Sequence, residues 1–169
     1  MIRGSRSATV FAAFVFLLAF CVPAFFSPAH AAVPMKQAKV HWMGYKTALE
    51  KAKKNPKLIF VDLYADWCVP CRVMDANVYS DPDIAMLLDY KFYAVKLNAE
   101  SQDTILCDGE RKTVQRCYFD VWELTALPAF VLVAPKGLTI LTVTDSMSPE
   151  EMKSLLFKFL EKEEEWIKQ

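Results

Sequence analysis

Two hydrophobic rhythms run along this chain. Tyr45, Ala48, Leu49 and Ala52 recur at helical spacing among lysines, which predicts an amphipathic helix that Asn55-Pro56 stops. Leu58 to Ala65 is apolar throughout except at Asp62, the pattern of a central strand covered on both faces. Val73, Met74 and Val78 are then available for helix packing. Ser80-Asp81-Pro82 offers a fresh helix start, with Pro82 in the first turn and Ile84, Leu87 and Leu88 facing inward. Phe92 to Leu97 reads as the next strand. Ala129 to Val133 and Leu138 to Thr144 read as a hairpin turning at Pro135-Lys136-Gly137. Ser148, Pro149 and Glu151 form a capping box ahead of a stripe made by Met152, Leu155, Leu156, Phe159 and Leu160. Strand, helix, strand, hairpin and final helix predict a small α/β sheet with helices on both faces.

The two ends of the chain read differently. Arg3 and Arg6 precede an apolar stretch from Ala8 to Phe26, broken only by Thr9 and Pro23, and Ala29-His30-Ala31 fits a small-x-small cleavage site. Residues 1–31 are therefore expected to be a secretory signal, 32–43 an N-terminal arm or linker, and 44–169 one folded domain. The alternative is a retained membrane anchor, since the stretch is long enough to span if Pro23 is tolerated. Phe20 argues against Cys21 as a lipid-attachment site. No further membrane span is expected after cleavage, and the mature chain of about 138 residues suits one core. At the other end, the Glu161 to Glu165 run reads as a solvated helix end.

Charge narrows the partners. The whole chain carries 20 basic and 20 acidic residues, and loss of Arg3 and Arg6 leaves about −2. The basic residues are dispersed, which excludes a nucleic-acid footprint. No glycine-rich phosphate loop and no internal repeat is present. His41, the histidine left after cleavage, reads as incidental.

Cysteine placement changes the picture most. Of five cysteines, Cys21 lies in the expected signal, leaving Cys68, Cys71, Cys107 and Cys117, an even number compatible with disulfides in an exported chain. Cys68-Val69-Pro70-Cys71 directly follows the apolar strand. If a helix starts inside the motif, Cys68 meets unpaired N–H groups and the positive end of the helix dipole, which favour a thiolate. Cys71, one turn on, can attack a mixed disulfide formed by Cys68. Asp62 is a carboxylate inside an apolar strand, costly unless paired or functional.

The run from Phe60 to Arg72, continued through Asn77-Val78-Tyr79-Ser80-Asp81-Pro82, resembles the active-site strand and turn of the thioredoxin family. It is most similar to the C-terminal, periplasmic thioredoxin-like domain of DsbD-type disulfide reductases. The likeness extends from about Tyr45 to Leu160 and is weak between Ser101 and Glu123. It implies a thioredoxin-like fold, a central mixed β-sheet with helices on both faces and a cysteine-bearing insertion, about 101–123, before a cis-proline strand. It implies that Cys68 is the exposed nucleophile, Cys71 the buried resolving thiol, and Asp62 the acid that handles the proton of Cys71. A strand-end Asp62 with a water or backbone partner is the plainer alternative.

The same resemblance places Pro128 as a cis-proline facing the cysteine pair, with the Leu127 backbone free to pair with an extended substrate. Trp67, Val69 and Pro70 would line the substrate side, Trp67 either as a shield or as plain packing. Val69-Pro70 holds no histidine between the cysteines, which points toward a reducing pair. Pro70 replaces the alanine usual in the DsbD subgroup. Cys107 and Cys117 stand either as a structural disulfide closing a loop or as a second redox pair; no nearby ligand completes a metal site.

The expectation is thus a periplasmic thiol–disulfide oxidoreductase, by preference a reductase, needing no organic cofactor or metal. Its partners would be disulfide-bearing proteins and a membrane or periplasmic thiol donor. An oxidase or isomerase, or a non-enzymatic Cu(I) carrier using the same thiols, are the competing readings.

Overall fold

The computed structural model describes residues 39–161 and 163–167. The expected signal segment 1–31 and residues 32–38 of the expected arm lie outside the described residues. The described end of that arm belongs to the fold. Val40 is buried, and Met43 makes a parallel bridge to Val95.

Helix α1 spans Tyr45–Lys54 and buries the predicted stripe of Tyr45, Ala48, Leu49 and Ala52. Strand β1, Ile59–Tyr64, lies in the middle of a four-stranded sheet. It pairs in parallel with β2 (Tyr93–Asn98) and antiparallel with β5 (Ala129–Val133). β5 in turn pairs antiparallel with β6 (Thr139–Thr144), giving the order β2-β1-β5-β6. The sheet is therefore mixed, as the resemblance implies, and β1 reads as continuously apolar because both of its faces are covered.

Alternation along the strands divides the core in two. Ile59, Val61, Leu63, Val95, Val131 and Val133 face α1 and the segment that follows β2. Phe60, Ala94, Phe130 and Leu132 face helices α2 (Val69–Asn77), α3 (Pro82–Lys91) and α5 (Pro149–Glu161). A short α6, Glu163–Ile167, follows α5. Helix starts follow their caps. Asp81 accepts hydrogen bonds from the N–H groups of Asp83 and Ile84 ahead of Pro82. Ser148 and Glu151 close the expected capping box with bonds of 2.8 and 3.3 Å. One packing expectation is corrected. Val73 is exposed on the outer side of α2, because Cys71 and Met74 take its inner stripe. Leu87 is half-buried and packs inward against the cluster that holds Ile84, Ala85 and Leu88.

The polar segment between β2 and β5 has a structure of its own. Strands β3 (Thr104–Cys107) and β4 (Glu110–Thr113) form a hairpin through Asp108-Gly109. Both turn residues have positive φ, 46° and 85°, the geometry for which Asp-Gly is suited. One α-helical turn, α4 (Val114–Arg116), then runs into a π-helical turn, Cys117–Val121. Val114, Cys117, Tyr118 and Trp122 enter the core on the α1 side of the sheet. Among the described residues, no helix is long and apolar enough to cross a membrane.

Candidate active site

Strand β1 ends at Tyr64, and the turn after it delivers Cys68 to the N-cap of α2. Cys68 and Cys71 are joined in a disulfide, with Cα atoms 5.3 Å apart. The Cys68 Sγ accepts the backbone N–H of Cys71 at 3.2 Å. That sulfur stands where a thiolate would sit in the reduced protein, and the same N–H would then stabilise the negative charge.

The expectation of an exposed Cys68 over a buried Cys71 is corrected. Cys68 is 1 % and Cys71 5 % accessible, so exposure does not tell the two apart in this disulfide-bonded state. Both sulfurs pack into a small cluster with Ala65, covered by the half-buried side chains of Tyr64 and Leu127. The flanking Trp67 is 66 % exposed and Val69 is also exposed. The Trp67 indole N–H donates to Glu100 Oε1 at 3.0 Å, which orients the ring from outside rather than through core packing. Pro70 occupies the first turn of α2, where its missing N–H leaves no bond unmade. The Leu127-Pro128 peptide is cis, with Pro128 buried. Leu127 thereby belongs both to the cover of the cysteine pair and to the edge that leads into β5.

Asp62 lies on the α2 side of the sheet and is 3 % accessible. It is not a strand-end residue bonded to backbone. The Tyr79 hydroxyl donates to Oδ1 at 2.9 Å, and the Lys96 ammonium lies 3.2 Å from Oδ2. Lys96 is the residue directly opposite Asp62 on β2. Burial pushes the Asp62 carboxyl up to about 6, and the charge of Lys96 with the hydrogen bond from Tyr79 limits the rise. Burial, and then the adjacent Asp62 charge, holds the Tyr79 phenol well above its ordinary value. Lys96 also pairs with Asp75 on α2 and sits over the rings of Tyr64, Tyr79 and Trp42 at 5.2 to 5.5 Å. Local sequence does not single out Lys96, Tyr79, Asp75 or Glu100. Their roles depend on strand register and on loop paths that local spacing does not specify.

Cys107 and Cys117 form a second disulfide, Cα to Cα 6.2 Å, and both are wholly buried on the opposite side of the sheet. Among the described residues, no cluster of three or more His, Cys, Asp or Glu could hold a metal ion.

The arrangement of a buried acid, a cysteine pair at the start of a helix and a cis-proline immediately before the neighbouring strand defines a class. A family model described as a thioredoxin-like domain matches residues 45–160, and the chain belongs to the thioredoxin-like family. Within that class, 91 residues are 31% identical to thiol:disulfide interchange protein DsbD 1 of Pseudomonas aeruginosa, covering 53% of this chain and 14% of that protein. The chain thus spans a small part of the curated relatives it matches. A thioredoxin from Thermus thermophilus shares the fold with TM-score 0.60 and 21% identity, over 74% of this chain and 90% of that one. The reduced C-terminal domain of DsbD from Neisseria meningitidis superposes with TM-score 0.50 and 19% identity, over 67% and 91%.

Proposed function

We propose that this chain is an exported reductase of protein disulfides, acting through Cys68 and Cys71 by way of a mixed disulfide. The observation that carries the reading is the Cys68 sulfur at the N-cap of α2, within hydrogen-bond reach of the Cys71 N–H. In the reduced protein the Cys68 thiolate attacks one sulfur of a substrate disulfide. A Cys68–substrate disulfide forms and the other substrate sulfur leaves as a thiolate. Cys71 then gives its proton toward the Asp62 carboxylate and attacks the Cys68 sulfur, so the Cys68–Cys71 disulfide forms and the second substrate thiolate departs. Two electrons pass from the pair to the substrate, and an external thiol donor restores them. Leu127 and cis-Pro128 offer the backbone edge on which an extended substrate segment pairs.

Reduction over oxidation is supported by Val69-Pro70, which adds no cationic group between the cysteines. The name of the Pseudomonas relative, a thiol:disulfide interchange protein, agrees with exchange chemistry. The exported, periplasmic address is supported by Arg3, Arg6 and the apolar run that follows them. Equilibration with glutathione tests the direction. The Cys68–Cys71 potential is expected nearer the roughly −270 mV of a thioredoxin than the roughly −120 mV of a strong oxidase, and a value at the oxidising end would sink the reductase reading. In the same assay series Cys68→Ser is expected to abolish insulin reduction, whereas Cys71→Ser accumulates mixed disulfides. Unchanged turnover in Cys68→Ser would refute the exchange mechanism.

A further inference from the structure

The segment between β2 and β5 reaches the redox site from both of its ends. At its start Glu100 holds the Trp67 indole. At its far end the Tyr118 hydroxyl donates to the Ala126 carbonyl at 2.9 Å, one residue before the cis Leu127-Pro128 peptide.

Tyr118 is a fixed post. Its ring is buried and meets Phe119 edge-on, with centroids 4.8 Å apart. Its neighbour Cys117 is bonded to Cys107, and its own carbonyl accepts the Leu124 N–H at 2.9 Å. The same segment is tied to β6 twice. The Trp122 indole donates to the Thr139 hydroxyl at 3.0 Å, and Asp108 Oδ1 accepts the Thr139 N–H. Ala126, by contrast, is exposed and Leu127 half-buried, so the packing that immobilises Tyr118 does not extend to the side chains of the loop it bonds.

We infer that Tyr118 is a positioning residue for protein substrates: its hydroxyl, anchored by the Cys107–Cys117 staple, fixes the Ala126 carbonyl and so the Leu127 edge on which an extended substrate pairs. The inference rests on the exchange reading above. A loop already held in its pairing conformation loses less freedom when a strand adds to it, so the bond acts on capture rather than on sulfur chemistry.

Tyr118→Phe keeps the ring and removes the hydroxyl. In dithiothreitol-driven insulin reduction it is expected to raise KM about fivefold, the equivalent of one ordinary hydrogen bond, with kcat unchanged. The Cys68–Cys71 equilibrium with glutathione stays at the wild-type value. Trp122→Phe removes a bond of the same segment that does not touch Ala126, and it keeps the wild-type KM. An unchanged KM in Tyr118→Phe overturns the inference. So does an equal rise in Trp122→Phe, which would mean general loosening, or a shifted glutathione equilibrium, which would mean damage to the pair itself. Failure of the exchange reading shows elsewhere: Cys68→Ser would reduce insulin as wild type does, and the inference would fall with it.

Discussion

Burial raises the Asp62 carboxyl to about 6 while Lys96 and Tyr79 hold it from rising further. Its folded value lies above the usual 3.8, so the folded state binds this proton more tightly than the unfolded chain does. The stabilisation this provides is complete below pH 3.8 and is lost as pH rises through about 6. At neutral pH the ionised group costs on the order of 3 kcal/mol relative to an unshifted carboxylate. Asp62→Asn removes that charge. Urea unfolding at pH 8 is expected to show it more stable than wild type by about 1–3 kcal/mol, with the difference vanishing below pH 4. If Asp62 accepts the Cys71 proton, kcat/KM for disulfide reduction rises with pH through about 6 in wild type, and this limb disappears in Asp62→Asn. A variant that kept both the limb and the wild-type stability would remove Asp62 from the mechanism. The other groups facing it are Lys96, Tyr79 and, through Lys96, Asp75. Sequence made Asp62 legible, since a lone carboxylate in an apolar strand asks for an explanation. It did not make Lys96 legible. A lysine near the end of a strand is usually solvent-facing, and only the parallel register with β1 puts it opposite Asp62.

The segment from β3 to the π-helical turn is held by one covalent link across ten residues of sequence. Closing a loop of that length restrains the unfolded chain by about 3 kcal/mol on the chain-entropy model. Both cysteines are also buried in the core cluster that contains Val114, Tyr118 and Trp122. Cys107→Ala/Cys117→Ala is therefore expected to lose about 3 kcal/mol or more in urea unfolding while Cys68 and Cys71 still exchange with glutathione. Loss of exchange in a folded double variant would instead make the second pair part of the redox chemistry. Long elements with one clear period were readable beforehand: the α1 stripe, the β1 run and the Ser148–Glu151 capping box all match. This segment was not, for a physical reason. β3 and β4 are four residues each, too short to show alternation, and β4 is Glu-Arg-Lys-Thr, with no apolar face at all. Asp108-Gly109 is a turn signal, but the polar residues on both sides of it give the flanking strands no pattern. The π-helical turn has no sequence rhythm that distinguishes it from an ordinary helical end.

Across the whole molecule, the two disulfides differ in what covers them. Cys107–Cys117 lies inside the core on the α1 side, at 0 % accessibility, walled by Val114, Tyr118 and Trp122. Cys68–Cys71 lies at the end of β1, and its cover is Tyr64 and Leu127, both themselves half-exposed, beside the exposed Trp67 and Val69. Exchange requires a thiolate to approach one sulfur in line with the disulfide, so access rather than bond strength decides which pair reacts first. Displacing Leu127 is a local event in a loop. Reaching Cys107 requires opening the core around Trp122, an event close to global unfolding. Native protein prepared without the expected signal segment 1–31, and so without Cys21, titrated with glutathione, quenched by alkylation and weighed by mass spectrometry, is therefore expected to gain two alkyl groups, both mapping to Cys68 and Cys71. Addition of denaturant before alkylation, with dithiothreitol present, raises the count to four. Native-state labelling of Cys107 or Cys117 at the glutathione ratio that opens the first pair would show that the two sites share electrons, and that the core on the α1 side breathes far more than its packing implies.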